Sequence, residues 1–312
     1  MHVLDRFDPE QIRAFHERGE FFWLDLDAPP AADLDAVGAL IGIPRLALDD
    51  SHELGQRAKV DDYGDRLLIV FFGTEGRLGE TRLFEVHLHL SGRELVTVHR
   101  GPCPPLQIAR DAHVHTEHAI VYRTLDALSE STLDTLRGAE QDVVALEQRA
   151  FERPSAEDRR RITRWRGDLF RLLQVVVAER DMLAGNAPAI ERVLAMEAGA
   201  AHHPLANVRD DLVQAANLID YCREVLGEAL NVYLQTTSNR LNEIATRITL
   251  LATIFVPLTL ITGFFGQNFG WLVRHIDSLA AFLVWGVGGL VVLAVAIWGW
   301  LRRAGYLNSD GQ

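Results

Sequence analysis

Cysteine is scarce in this chain, and familiar catalytic motifs are missing. The 312 residues include two cysteines, Cys103 and Cys222, which are far apart and show no C-x-x-C spacing. This pattern argues against a disulfide framework and against a zinc cluster. The sequence also has no phosphate-binding glycine loop, no Gly-x-Ser-x-Gly and no His-Glu-x-x-His motif. We therefore expect neither an enzyme nor a bound cofactor.

Positive charge is also in short supply, since the formal net charge is −12. Residues 247–312 carry four arginines and two aspartates, so the remaining 246 residues have a net charge of −14. An acidic surface argues against nucleic acid as a partner and is compatible with attracting cations. Acidity can equally do no more than keep a domain in solution, and charge alone does not separate the two readings.

Two long apolar runs lie near the end of the chain. Ile248–Phe265 has 18 residues without a charge, and Leu279–Leu301 has 23. About 20 apolar residues cross a bilayer as a helix. The first run could instead be a buried helix of a soluble protein, but its lack of charge and its closeness to the second run favour a membrane hairpin.

The arginines around these runs predict the orientation of the hairpin. Arg240 and Arg247 precede the first run, Arg302 and Arg303 close the second, and the loop between them has only Arg274. Because basic residues favour the cytoplasmic side, we expect both termini in the cytoplasm. The N-terminus lacks the basic-then-apolar pattern of a signal peptide.

The chain before the spans has a mixed α and β pattern. Strands are expected at 21–26, 67–72, 83–90 and 94–99, and a helix at Ala31–Ile41 after Pro29-Pro30. Helices are then expected at 120–149 and 157–184, with a break at 185–188. From Leu205 nothing stops a helix before Phe265 except Pro257, which lies inside the span. The predicted fold class is an α+β domain, then a long stalk helix that becomes a transmembrane helix, then a second transmembrane helix.

These features divide the chain into seven predicted parts. They are an α/β domain at 1–125, a helical hairpin at 126–204, a stalk helix at 205–247, a first transmembrane helix at 248–265, an outer loop at 266–278, a second transmembrane helix at 279–301 and a tail at 302–312.

A conduit built from this hairpin would need several copies of the chain, because two helices enclose nothing. The first span has the more polar residues and is the better lining candidate, with Asn242, Thr249 and Thr259 as polar positions and Ile248 and Val256 as dry constrictions. The threonine hydroxyls could instead bond back to their own helix or join neighbouring helices.

Several segments resemble the CorA family of divalent-cation channels. The most specific is Thr262-Gly-Phe-Phe-Gly-Gln-Asn-Phe269. Further matching segments are Trp23-Leu-Asp-Leu, Ile43 to Asp50, Gln56 to Tyr63, Glu228 to Leu234, Ser238 to Ile244 and Leu250 to Thr259. The resemblance covers most of the chain.

The resemblance implies a homopentamer in membrane lipid, in the bacterial inner membrane, that takes up Mg²⁺, Co²⁺ or Ni²⁺. It also implies that Gly266, Gln267 and Asn268 form an ion-selecting ring at the outer mouth. A ring of neutral oxygens can hold a hydrated Mg²⁺, which sheds its water reluctantly. In the alternative interpretation, Gly266 and Asn268 cap the helix and turn the chain without selecting ions. Two alternatives are a ZntB-like Zn²⁺ transporter, possibly proton-linked, and a membrane-anchored metal sensor or scaffold without transport.

Three positions depart from the family pattern. Gln267 replaces the family's methionine, and Asn231 is neutral where the family has an acidic pore-facing ring. For the family's regulatory Mg²⁺ site, Asp49 and Asp50 are present, but Asn207 stands at the expected stalk position. Asp210 and Asp211 lie nearby, so Asp49, Asp50 and Asp210 are the best regulatory metal ligands.

Histidines supply the remaining candidate metal ligands. His87 and His89 share one face of a predicted strand, which suits either a transition metal or a packed surface. The remaining candidates are the clusters His113, His115 and His118, then His202-His203, and the outer-loop pair His275 and Asp277, which could meet an arriving cation.

Overall fold

The architecture comes from a computed structural model that describes residues 2–111, 117–152, 154–194, 204–267, 270–275 and 278–303. The chain divides into two compact units, Met1–Tyr233 and Leu234–Gln312. The boundary falls within one long helix.

The first unit is built on a six-stranded mixed sheet. Its strands are β1 (His2–Leu4), β2 (Phe22–Asp27), β3 (Lys59–Asp62), β4 (Arg66–Glu75), β5 (Arg82–Ser91) and β6 (Glu94–His99). Their spatial order is β1-β2-β6-β5-β4-β3. The β1–β2 and β2–β6 pairs are parallel, and the remaining pairs are antiparallel. The four strands expected from the sequence correspond to β2, β4, β5 and β6.

One apolar layer covers each face of this sheet, because successive side chains of a strand point to opposite faces. One face packs against α1 (Pro9–Arg18), α2 (Ala31–Ile41) and α3 (Arg45–Glu53). The other packs against α4 (Pro104–Asp111), α5 (Glu117–Glu152), α6 (Ala156–Val193) and the beginning of α7 (Pro204–Phe265). In β4, Leu68 and Val70 point to the first layer, and Leu67 and Ile69 point to the second.

The expected break at 185–188 was wrong, since α6 continues through Pro188 to Val193. Proline removes one helical hydrogen bond, but local and tertiary contacts offset that loss. Asn186 Nδ2 donates to the carbonyl of Met182 at 2.9 Å. Ile190 and Val193 beyond the proline are buried in the core. Tertiary packing therefore overrides the local stop signal.

The second unit contains the end of α7, a short helix α8 (Gly270–His275) and the second apolar segment. That segment is α9 (Leu279–Ala281), a π-helical stretch at Phe282–Val287 and α10 (Gly288–Arg303). Among the described residues, two helices are long and apolar enough to cross a membrane: Leu205–Phe264, with an 18-residue window of mean hydropathy 1.9, and Leu279–Arg303, with a window of 2.5. The second coincides with the second apolar run of the sequence, and the first contains nearly all of the first run at its C-terminal end.

Candidate ion pathway

The end of α7 places Gly266 in a tight turn. Its N–H donates to the carbonyl of Thr262 at 2.9 Å, and the N–H of Gln267 donates to that of Phe264 at 3.2 Å. A Cβ on Gly266 would lie 3.1 Å from the Thr262 oxygen. The backbone of Gly266 is outside the left-handed region, so glycine is favoured here by the close approach of the carbonyl.

The two residues after Gly266 complete the predicted ring. Gln267 has an exposed side chain at the end of the helix. Asn268 lies outside the described residues, so its role stays a prediction. The same applies to His113, His115, His202, His203 and Asp277, and to the side chain of His118.

Burial divides the first span into two faces. Leu250, Thr253, Pro257 and Ile261 are half-buried and recur every three or four residues, so they form one stripe along the helix. A similar half-buried stripe runs along the second span at Gly286, Leu290, Leu293 and Ile297. The second span is the only other long helix described in this unit, so we infer that the spans meet on these stripes.

Three of the predicted lining residues lie outside this stripe and are exposed on α7. Ile248 is 61% exposed and Val256 is 65% exposed. Thr259 is also exposed, and at about 100° per residue it projects within about 20° of Ile248. Val256, Thr259 and Gln267 line one concave surface with Phe255, Leu260, Gly263 and Phe264. The predicted residues nearest the Gly266 end of α7, namely Val256, Thr259 and Gln267, therefore line the same surface.

Asn242 and Thr249 lie in a different cavity. It has a volume of about 470 Å³ and lies between α7 and the end of the second span. Its lining includes Trp300 and Leu301 together with Thr246, Leu250 and Thr253. Neither Trp300 nor Leu301 was expected from the sequence to approach these polar residues.

The threonine hydroxyls of the first span bond back to their own helix, one of the two alternatives left open by the sequence. Thr249 donates to the carbonyl of Ala245 at 2.8 Å, and Thr259 donates to that of Phe255 at 2.7 Å. Since a hydroxyl has one hydrogen and two lone pairs, each threonine can still accept a hydrogen bond. Such an oxygen suits the water shell of a cation, because that shell presents hydrogens outward.

Aromatic and basic side chains mark one end of the hairpin. The guanidinium of Arg302 lies 5.5 Å from the ring centroid of Trp298. On α7, Arg247 pairs with Glu243 one turn away. Tryptophan and arginine at the end of an apolar span are typical of a membrane–water interface.

Two of the proposed regulatory acids are paired with basic side chains of the same chain. Asp49 pairs with Arg45 at 3.0 Å, and Asp50 pairs with Lys59 at 2.7 Å. Asp210 is exposed on α7. Among the described residues, no three His, Cys, Asp or Glu side chains are grouped to hold a metal ion. Asn207 is a hydrogen-bond partner of the Tyr122 side chain, and Asn231 is exposed.

His87 and His89 share a face of β5, as predicted, but both are buried. A residue that sequence reasoning missed, Ser51 on α3, lies between them. The Ser51 hydroxyl oxygen is 2.9 Å from His87 Nδ1 and 2.8 Å from His89 Nε2. The sequence signal that could have revealed this polar cluster is the alternation Glu85, His87, His89, Ser91, because the residues between them, Val86, Leu88 and Leu90, are apolar.

Comparison with known proteins gives a match over nearly the whole chain. The family model for CorA-like Mg²⁺ transporter proteins matches residues 18–303. The cobalt/magnesium transport protein CorA of Thermotoga maritima is 26% identical over 308 residues, which cover 92% of this chain and 82% of that protein.

Solved structures with low sequence identity show the same fold. The CorA magnesium transporter of Methanocaldococcus jannaschii superposes with a TM-score of 0.75 at 20% identity, over 91% of each chain. The ZntB cytoplasmic domain of Vibrio parahaemolyticus gives a TM-score of 0.57 at 9% identity, over 70% of this chain and 88% of that domain.

Proposed function

This chain belongs to the CorA-like family of Mg²⁺ transporters, and we propose that it works as a homopentameric channel for hydrated divalent cations, with Mg²⁺ as its main cargo. The family consists of membrane transporters for metal ions rather than enzymes, and the cations are cargo rather than bound cofactors. Beyond family membership, we propose the number of copies, the transported ion and the residues that select it. The observation that carries it is a single helix, Pro204–Phe265, that contains the first span and ends at Gly266-Gln267.

The exposed side of α7 supports assembly from several copies. Leu234, Leu241, Ile248 and Phe255 recur every seven residues, and each is between 55% and 62% exposed. A seven-residue apolar repeat is typical of helices that supercoil around one another. Leu234 and Leu241 precede the apolar span, where an exposed leucine favours burial against another helix. We propose that copies of α7 cover this repeat.

In such an assembly, each chain would contribute one Asn268 amide oxygen and one Gly266 carbonyl to the outer mouth. Val256, Thr259 and Gln267 would line the surface immediately below. A doubly charged ion that moves inward gains about 4.6 kcal/mol per 100 mV of membrane potential. Uptake would therefore be passive and would need no nucleotide. With both termini in the cytoplasm, the acidic first unit would lie on the receiving side.

Substitution at Asn268 tests the selection step. We expect Asn268→Ala to lower Mg²⁺ uptake into proteoliposomes at least about tenfold, because the ring loses the oxygen that holds the hydrated ion. The matched control is Asn239→Ala, which removes an exposed asparagine from α7 before the span. That control should transport within about twofold of the wild type. Wild-type uptake by Asn268→Ala would refute the selection role.

Zn²⁺ is the second candidate cargo. The fold likeness to a ZntB cytoplasmic domain and the glutamine at position 267 both allow it. Zn²⁺ uptake that follows a pH gradient, with little Mg²⁺ uptake, would favour this alternative. Gln267→Met restores the residue that the family has at this position. If Gln267 sets the preference, this variant should shift uptake towards Mg²⁺.

A further inference from the structure

A cavity in the first unit lies where α4, α5 and the β4–β5 hairpin meet. Its volume is about 370 Å³, within the range of small-molecule sites, about 300–1,000 Å³. Apolar side chains form one part of its wall, namely Phe84 of β5 and Pro104, Pro105 and Ile108 of α4. Ile108 is 66% exposed, so a ligand that covers it would be favoured by burial of apolar surface.

Three carboxylates also line this cavity. Glu75 lies at the end of β4, and Glu130 and Asp134 lie one turn apart on α5. Asp134 accepts a hydrogen bond from Arg137 at 2.8 Å. Glu75 and Glu130 form no ion pair with any residue that the structure describes. The charge of the wall therefore favours a cationic ligand.

A buried hydroxyl without a hydrogen-bond partner reaches the same cavity. Thr135 of α5 is 8% exposed and lines the wall, and within the described part of the chain its hydroxyl has no partner. The carbonyl one turn back, that of Ser131, accepts from the Thr74 hydroxyl at 3.3 Å instead. The other serines and threonines of α5 all donate to carbonyls of their own helix, namely Thr124, Ser129, Ser131 and Thr132.

This free hydroxyl points to a ligand with an N–H group. A buried polar group is costly unless it is hydrogen-bonded, and Thr135 can find a partner only on the cavity side. A hydroxyl oxygen has two lone pairs, so it can accept from an ammonium group. The carboxylates and this oxygen then present acceptors to the same positively charged donor.

The arrangement suits an organic cation better than a metal ion. Over the described ranges, no three His, Cys, Asp or Glu side chains are grouped to hold a metal ion. A hydrated Mg²⁺ takes oxygen ligands and would gain nothing from an apolar wall. Several ammonium groups joined by short carbon chains can instead reach carboxylates on separate elements, while the carbons cover the prolines and Ile108.

We propose that this cavity binds a linear aliphatic polyamine. Its ammonium groups pair with Glu75 on β4 and with Glu130 or Asp134 on α5 through charge-assisted hydrogen bonds. The Thr135 hydroxyl accepts one further N–H, and the carbon chain lies on Ile108. The site lies within the first unit and does not depend on which ion is transported, or on whether transport occurs.

The neighbouring arginines leave these carboxylates accessible. Arg82 lies opposite Glu75 in the β4–β5 pairing. It forms no ion pair with Glu75, and its guanidinium carbon lies 5.0 Å from the ring centroid of Phe84. Arg137 competes for Asp134, but their side chains are 50% and 65% exposed. Exposed pairs of this kind contribute little, so an ammonium group can replace Arg137.

Isothermal titration calorimetry of the full-length protein in a non-ionic detergent, with spermidine as the probe, tests the site. We expect saturable binding of about one spermidine per chain, with a dissociation constant below about 1 mM. Butylamine has one ammonium group and cannot reach carboxylates on two elements. It should therefore bind at least about tenfold more weakly.

Removal of one carboxylate tests the role of charge. Glu75→Gln keeps the shape of the side chain and should lower the affinity for spermidine at least about fivefold. The matched control is Glu80→Gln, which removes the same charge from an exposed position between β4 and β5, outside the cavity lining. That control should bind spermidine within about twofold of the wild type.

Removal of the hydroxyl tests the contact from Thr135. Thr135→Val keeps the size of the side chain and should lower the affinity at least about threefold. Thr132→Val is the matched control, because Thr132 is also buried on α5 but its hydroxyl donates to the carbonyl of Leu128. It should bind spermidine like the wild type.

If Thr135→Val does not fold, the comparison of Glu75→Gln with Glu80→Gln decides alone. Three results would overturn the proposal. They are spermidine binding that does not saturate, an equal loss of affinity in Glu75→Gln and Glu80→Gln, and an unchanged affinity in a folded Thr135→Val.

Discussion

Glu179 is an acidic side chain in the interior of the first unit. It is fully buried on α6, and Oε1 accepts the backbone N–H of Phe72 at 2.7 Å. Its other oxygen has no hydrogen-bond partner. Burial therefore raises the pKa of Glu179 well above its usual value of 4.5, and the Phe72 bond offsets only part of this effect.

The raised pKa makes stability depend on pH. The folded state holds the Glu179 proton more tightly than the unfolded state, so stability falls as pH rises above about 4.5. Glu179→Gln retains the acceptor for Phe72 and removes the ionisation. We expect this variant to melt about 2–4 °C higher than the wild type at pH 8, the equivalent of about 1 kcal/mol, with no gain at pH 4.

Thermal unfolding in detergent at the two pH values measures this difference. Glu130→Gln is the matched control, because Glu130 is exposed on α5. Its melting temperature should follow the wild type at both pH values. An equal gain in melting temperature at pH 4 and pH 8 would show that Glu179→Gln acts through packing rather than through the loss of ionisation.

At the scale of elements, the contact between β4 and α5 depends on a glycine. A Cβ added to Gly73 would lie 2.8 Å from Leu128 Cδ2 and 2.9 Å from the hydroxyl oxygen of Ser131. The same serine accepts the N–H of Thr74 at 3.1 Å. Gly73→Ala would push the helix from the strand, and overpacking of this kind costs about 1–3 kcal/mol.

The melting temperature of Gly73→Ala should therefore fall by several degrees. Gly138→Ala is the matched control, because a Cβ at this position on α5 meets nothing within 4 Å. That control should be neutral or stabilising by up to about 1 kcal/mol, since alanine favours helix over glycine. If the two variants unfold alike, the close contact at Gly73 is not a determinant of stability.

Most elements were predictable from the sequence because the spacing of their apolar residues agrees with the residues that begin or end them. The helix Ala31–Ile41 was expected with these bounds, and β6 was expected as Glu94–His99. The end of α6 was not, because Pro188 lies in a helix that tertiary contacts extend. Ser51 was missed because its partners are more than 30 residues away.

The candidate pathway was predictable only in part. Spacing placed Ile248 and Val256 on a face that is exposed in the structure. It could not show that Asn242 and Thr249 share a cavity with Trp300 and Leu301, because that contact joins two helices. Nor could spacing show that the threonine hydroxyls point back to their own carbonyls, since side-chain rotamers are not encoded in sequence periodicity.

A conduit through the membrane requires several copies of this chain. A single hairpin cannot enclose a conduit, and the exposed heptad of α7 needs a partner. We expect native mass spectrometry of the detergent-solubilised protein to give one main species of five 34.9-kDa chains. A monomer or dimer at all protein concentrations would contradict the homopentamer, although not family membership.

Ion-competition flux on the purified wild-type protein tests the central claim most directly. Proteoliposomes with a negative interior should take up Mg²⁺, and the rate should rise with membrane potential because the ion carries two charges. External Co²⁺ and Ni²⁺ should compete with Mg²⁺, whereas Zn²⁺ uptake should remain minor and independent of a pH gradient. Mg²⁺ uptake no faster than in protein-free liposomes, with intact oligomers present, would contradict the proposed channel.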